Sequence, residues 1–214
     1  FFEKRYGHGN KYEVVYTGVD EIFNDKNIYM KHDKKLTALF RGKLTPESGI
    51  MHILRAAEIL KENKGISFKI IGSGYFLKKV NNFISEKKLA NVELVSRFLS
   101  TSELIEEIRN ADLMLGQFEN NPRLGRTIPH KAFEAFAMGI PYLTGRGLAI
   151  GEIGTDDVSV FFVPLADPIA IADRIESLVK QPELLERVAT GARNIFEEKF
   201  ASASLVERLV KIML

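Results

Sequence analysis

LTALFRGKLTPESGIMHILRAAEILKENKGISFKII, residues 36–71, holds one complete repeat of strand, crossover helix and strand. Leu36–Phe40 is a short run dense in apolar side chains, the length of a buried strand. A loop follows over Arg41–Gly49, punctuated by Gly42, Pro46 and Gly49. Ile50, Ile53, Leu54, Ala57 and Leu60 then recur at helical spacing, and Ser67–Ile71 is a second apolar run. A strand apolar on both faces needs cover on both faces, which parallel sheets with helices above and below provide. The right-handed crossover of such units winds the sheet in a fixed sense.

Outward from this unit the alternation continues. Further strands are expected at Tyr12–Thr17, Val92–Val95, Asp112–Leu115, Pro141–Thr144 and Val158–Val163. Helical stripes appear at Leu77, Val80, Phe83 and Ile84, and at Leu104, Ile105 and Ile108, with Ser102 or Thr101 placed to cap the latter. Asp167-Pro168 reads as a capping carboxylate followed by proline at the first helical position, and Gln181-Pro182 as the close of that helix and the start of the next. From Glu183 to Leu214 the pattern is helical only, broken near Ala201–Ser204. The fold class expected is α/β: a doubly wound, mostly parallel, Rossmann-like sheet with C-terminal helices. No repeat, low-complexity tract or linker divides the chain, so one domain is expected over residues 1–214, with 183–214 as a helical appendage.

Composition agrees with a globular domain: 45% hydrophobic and 27% charged over 214 residues. Thirty basic side chains nearly balance 28 acidic ones for a net charge of +2, which leaves no polyanion-binding footprint, so no nucleic-acid partner is expected. Without cysteine there is neither a disulfide framework nor a thiolate metal site. No apolar run approaches the ~20 residues of a membrane span. The chain begins at Phe1 rather than methionine, as a fragment or processed chain would. A cytoplasmic location is expected, peripheral to a membrane at most.

Ligands of doubly wound sheets bind beyond the carboxyl ends of the strands, so the residues after each strand are the candidates. After Leu36–Phe40, Gly42 allows close backbone approach and Lys43 offers a point charge to a phosphate; the plain alternative is a basic surface turn. After Ser67–Ile71, Gly72-Ser73-Gly74 lacks the third glycine and the downstream acid of a dinucleotide fingerprint, so it reads as a tight turn passing close to a ligand or to a neighbouring domain. After Asp112–Leu115 a long polar loop runs to Pro129, which starts a helix carrying Phe133, Phe136, Ala137 and Met138 and ending at Gly139. Pro129, His130 and Lys131 would place free amides and a cation at one point, with Arg123 and Arg126 around it, which describes a diphosphate site. Glu134, one turn further in, suits a ribose diol; equally, it could pair with His130 or Lys131. His8, His32, His52 and His130 are not at metal-ligand spacing. Asp156-Asp157 reads as a turn cap rather than an ion site. No G-x-S-x-G is present for a hydrolase nucleophile.

The order of these segments resembles the C-terminal domain of group 1 (family 4 type) glycosyltransferases of GT-B fold, over nearly the whole chain. The segments that carry it are VVYTGVDEIF (14–23), FRGKL (40–44), FKIIGSG (68–74), VELVSRFLSTSELIEEIRNADLML (92–115), IPHKAFEAFAMGIPYLTG (128–145) and FFVPLADPIAIADRI (161–175). The resemblance implies a nucleotide-sugar-binding domain, the C-terminal half of a two-domain enzyme. Residues 1–11 would then be the end of the interdomain connection, with the N-terminal acceptor domain absent from the chain. It implies retaining, metal-independent transfer from a nucleoside diphosphate sugar, hexosyltransferase-like, with no cofactor and a glycan or lipid-linked acceptor.

By the same resemblance Glu134 is the second Glu of the family's Glu, seven residues, Glu pattern and bonds the donor ribose. Arg126 stands at the first Glu, and Ser48 where many members carry a phosphate-binding Lys. Pro129, Lys131 and Glu134, at their spacing, resemble a recognised branch in which Lys131 takes over that role. Lys43, Lys131 and Arg126 are the implied catalytic set. Gly42, Gly72, Gly74, Pro129, His130 and Glu134 line the donor, Ser96, Arg97 and Phe98 enclose the base, and Glu152 orders the donor loop. Two alternatives fit less well: a GT-B-fold sugar-nucleotide epimerase, and a non-catalytic relative used for protein contacts.

Overall fold

A computed structural model of the protein describes residues 14–24 and 35–213. Six strands form one sheet: β1 (Leu36–Arg41), β2 (Ile66–Ile71), β3 (Val92–Val95), β4 (Leu113–Leu115), β5 (Tyr142–Gly145) and β6 (Phe161–Val163). Their order is β3-β2-β1-β4-β5-β6, and every neighbouring pair is parallel. The helices are α1 (Ile50–Ile59), α2 (Leu77–Lys87), α3 (Thr101–Arg109), α4 (His130–Ala137), α5 (Leu148–Ile153), α6 (Pro168–Val179), α7 (Pro182–Ile195) and α8 (Ser202–Met213).

Strand alternation divides the core into two layers. Ala38, Phe40, Leu113, Leu115, Leu143 and Phe161 face the layer built with α1, α2 and α6. Leu39, Met114, Tyr142 and Phe162 face the other, with α3, α4, α5 and α7. Both faces are therefore covered, the condition that the apolar strands imposed.

Three local expectations change. Of the strand expected at Tyr12–Thr17, residues 12–13 lie outside the described residues and Val14–Thr17 form no strand. Tyr16 instead sets its ring edge-on to Phe200 at 5.3 Å, and Gly18 packs on Leu205, so this segment follows the terminal helices rather than the sheet. The strand expected at Val158–Val163 shortens to β6, because residues 155–160 fold into a turn with Asp157 at φ 58° and Val158 exposed. The cap of α3 is Ser100, which forms a capping box with Glu103; Thr101 and Ser102 lie inside the helix. The C-terminal break falls at Ala201, as expected: α7 runs into a five-residue π turn at Phe196–Phe200, Ala201 is extended, and α8 begins at Ser202.

The turn after β2 packs on the loop after β1. A Cβ on Gly72 would lie 1.9 Å from the Gly42 carbonyl oxygen, and one on Gly74 2.8 Å from that of Leu44. Only hydrogen fits between these backbones. The Leu44 amide donates to Ser73 O at 2.9 Å, and the Phe76 amide to Leu44 O at 2.8 Å, so the two loops form one rim.

Candidate functional site

The strand order reverses between β1 and β4, and there the loops leaving the two strands diverge and open a crevice. A cleft of about 230 Å³ occupies it, lined by Phe40–Lys43 and Ser48 from the end of β1, Gln117 from the end of β4, and Pro129–Lys131 at the start of α4. A larger groove of about 390 Å³ lies at the opposite, amino ends of the strands. Its Lys69 is already bridged to Glu93 and Glu107, so it offers little free charge.

Helix α4 enters the cleft without a side-chain cap, Pro129 standing at the N-cap in extended conformation. Its first amides and the positive end of its dipole therefore face the crevice. The far end is fixed by Arg193, 6% exposed, which donates to Ala137 O, to Asn24 Oδ1 at 2.7 Å and to Glu197 Oε1 at 3.0 Å. A cation at the carboxyl end of a helix both pairs an orphan carbonyl and complements the dipole.

Lys131 is buried. Its Nζ donates to Gly116 O at 2.8 Å and lies 3.8 Å from the centre of the Phe40 ring. Burial pushes its pKa well below the usual lysine value, and the neighbouring Arg41 charge lowers it further. Lys43, by contrast, is exposed at the mouth of the cleft with no partner among the described residues.

Glu134 is buried on α4, its side chain 3% exposed, and its principal partner is Arg41. Arg41 Nε donates to Glu134 Oε2 at 2.7 Å, and Nη2 meets Oε1, a side-on fork. His130, 55% exposed, adds a longer contact from Nδ1 to Oε1 at 3.4 Å. Of the two pairings open in the sequence, that with Lys131 does not form, because Nζ turns to Gly116 O. Arg41 was not among the expected site residues. The available signal was a charged residue closing an otherwise apolar strand, on the side of the sheet that Leu39 shares with the core.

The structure gathers Gly42, Lys43, Pro129, His130 and Lys131 into one cleft, with Glu134 tied to its wall through Arg41. Gly42 sits at φ 146°, a conformation that favours glycine. Gly72 and Gly74 do not line the cleft; close packing of the two loops accounts for them. Arg126 does not line it either. It lies exposed in a 3-10 turn, Leu124–Arg126, with Nε donating to Pro122 O at 3.3 Å, and Arg123 is exposed beside it. The long loop folds on itself here, and neither arginine is among the residues that line the cleft. Ser96, Arg97 and Phe98 are exposed beyond the end of β3, with Phe98 92% exposed and Arg97 paired to Glu103 at 2.8 Å. Glu152 accepts from the Tyr16 hydroxyl at 3.3 Å. Asp156 binds Arg146 and the Phe162 amide, and Asp157 binds Arg174, so both acids serve the turn. Among the described residues no group of three His, Cys, Asp or Glu could hold a metal ion, and no helix is long and apolar enough to cross a membrane.

The family described as glycosyl transferases group 1 matches residues 21–195. The chain belongs to this family. Its relatives include an uncharacterised glycosyltransferase of Methanocaldococcus jannaschii, 25% identical over 203 residues, covering 95% of this chain and 53% of the relative. A putative colanic acid biosynthesis glycosyltransferase of Escherichia coli K12 is 26% identical over 183 residues, covering 80% and 43%. The chain thus spans about half the length of these curated relatives. Among solved structures, Anabaena HepE in complex with UDP and glucose superposes with a TM-score of 0.79 at 14% identity, covering 99% of this chain and 59% of that one. The C-terminal domain of a Francisella tularensis group 1 glycosyl transferase superposes at 0.70 with 18% identity, covering 86% and 98%. The six-stranded parallel sheet is the Rossmann-like domain of the GT-B glycosyltransferases, as the sequence resemblance implied. Within this group 1 domain the cleft at the switch point is the candidate site.

Proposed function

We propose that this domain binds a nucleoside diphosphate sugar, with the diphosphate in the cleft between β1, β4 and the start of α4. The observation that carries the reading is the meeting, at the switch point of the sheet, of an uncapped helix start with Arg41, Lys43 and Lys131. Backbone amides and cations aimed at one point suit a ligand of two or more negative charges. Glu134, tied into the wall by Arg41, is the carboxylate assigned to the ribose hydroxyls. The solved neighbours bound to UDP or UDP-glucose support a nucleotide sugar as the ligand class.

In transfer, negative charge grows on the departing diphosphate as the glycosidic bond breaks. Preorganised donors at that position lower the barrier because they need no reorientation as the charge develops. Lys43, Lys131 and the α4 amides are the groups assigned to this role, without a requirement for a metal. Gly42, Pro129 and His130 shape the same wall, while Ser96, Arg97 and Phe98 are assigned to the base at the end of β3. Transfer with retention, to a glycan or lipid-linked acceptor held largely by an N-terminal domain, completes the reading.

Isothermal titration of the chain with UDP, GDP and ADP, each with magnesium and with EDTA, tests it. Binding of at least one in the micromolar to millimolar range, equal under both conditions, is expected. No heat from any of the three at millimolar concentration would overturn the donor reading.

A further inference from the structure

We propose that Arg41 is a second-role residue of the donor site, positioning Glu134 for the ribose with one side of its guanidinium and contacting the donor diphosphate with the other. This rests on the donor reading above and assigns a residue that the family pattern does not supply.

The fork on Glu134 uses Nε and Nη2 of Arg41. Nη1, with two N–H groups, has no partner among the described residues, and the side chain is 25% exposed where it lines the cleft. A planar guanidinium can hold a carboxylate on one edge and a phosphate oxygen on another, which an ammonium cannot do with fixed geometry. The structural alternative is an ion pair that merely ties β1 to α4. Such a pair is weak evidence for stability, since a packed apolar pair does as well. It also fails to explain why the pair stands on the cleft wall beside further cations.

The surroundings favour an anionic ligand. Arg41, Lys43 and Lys131 line one cleft with an uncapped helix start; exposed Glu47 is the one acid of that lining, and the Glu134 charge is balanced by Arg41. The Arg41 charge acts unfavourably on the Lys131 ammonium, which itself has only a carbonyl and a ring face as partners. Like charges gathered in a partly buried site are relieved when a dianion enters. Ser48 contributes no charge: its hydroxyl donates to Thr45 O at 2.7 Å and accepts from the Ile50 amide.

Arg41→Lys and the double variant Arg41→Met with Glu134→Gln separate the two roles, with folding checked by circular dichroism. UDP, UMP and 2′-deoxy-UDP are titrated into each. Arg41→Lys keeps a charge near the diphosphate but cannot hold both carboxylate oxygens. It should retain most of the UDP-over-UMP preference while losing at least threefold of the UDP-over-deoxy-UDP preference. The double variant removes both charges and should lose both preferences, with UDP weakened at least tenfold. Equal weakening of all three ligands in Arg41→Lys, or UDP affinity within twofold of wild type in the double variant, would overturn the assignment of Arg41. A wild-type chain that binds none of UDP, GDP and ADP overturns the donor reading itself, a separate outcome.

Discussion

Replacing Lys131 by Met keeps an unbranched stem against the Phe40 ring and removes the ammonium from the floor of the cleft. A hydrogen bond to a charged group contributes about 1.5–3 kcal/mol. At about 1.4 kcal/mol per factor of ten, the variant should bind the nucleoside diphosphate about 10- to 150-fold more weakly. The same residue predicts a proton signature. Burial and the Arg41 charge hold the Lys131 pKa well below its ordinary 10.5 in the empty site. A bound diphosphate favours the ammonium and pulls the pKa back up. Binding should therefore take up a proton in the window between the two values, and affinity should fall as pH rises through it. Calorimetry at several pH values below 10.5, each in two buffers whose ionisation enthalpies differ, reads that uptake directly; within the window the wild-type heat should depend on buffer and the Met variant's should not. Stability carries the matching sign. The unfolded chain binds this proton more tightly than the folded one, so folding stability due to Lys131 should rise with pH from the lowered folded pKa up to 10.5, and the variant should lack that slope. A folded Lys131→Met that binds within twofold of wild type, with the same buffer dependence, would refute the assignment of the ammonium to the diphosphate.

Two further perturbations address the frame that holds the cleft. Gly72→Ala places a methyl 1.9 Å from the Gly42 carbonyl oxygen, so the rim must shift; a loss of about 1–3 kcal/mol in urea unfolding is expected, with weaker UDP binding, and an unchanged midpoint would contradict the packing described. Arg193→Met strips the buried Ala137 carbonyl of its donor and should cost about 1–3 kcal/mol by the same assay, whereas wild-type stability would mean that α4 is held by other contacts.

Much of the fold was legible because its signals are local. Apolar runs of strand length, helical stripes and the Asp167-Pro168 and Gln181-Pro182 boundaries each report the backbone within a few residues. The failures were also local. Ser100 rather than its two neighbours caps α3, since shifts of one or two residues are finer than periodicity resolves. Val158 and Val160 look like strand residues, yet the Asp156 and Asp157 contacts bend them into a turn. That Gly42, Lys43 and Pro129–Lys131 share one candidate cleft was legible because turn chemistry at strand ends marks where ligands of such sheets approach. Arg126 lies outside the cleft lining, and nothing in the sequence shows that Leu124–Arg126 forms its own 3-10 turn.

The sequence by itself determined the strand–helix alternation, the membership of the group 1 glycosyltransferase family, and the helix start that forms one wall of the cleft. Only the tertiary structure decided who partners whom. Arg41 and Glu134 are 93 residues apart, and Arg193 and the Ala137 carbonyl 56; each pair meets because β1 and α7 are laid against α4 by burial of apolar faces. That packing is collective and carries no mark at the paired residues. A charge closing a strand announces that it needs a partner, but the fold alone supplies it.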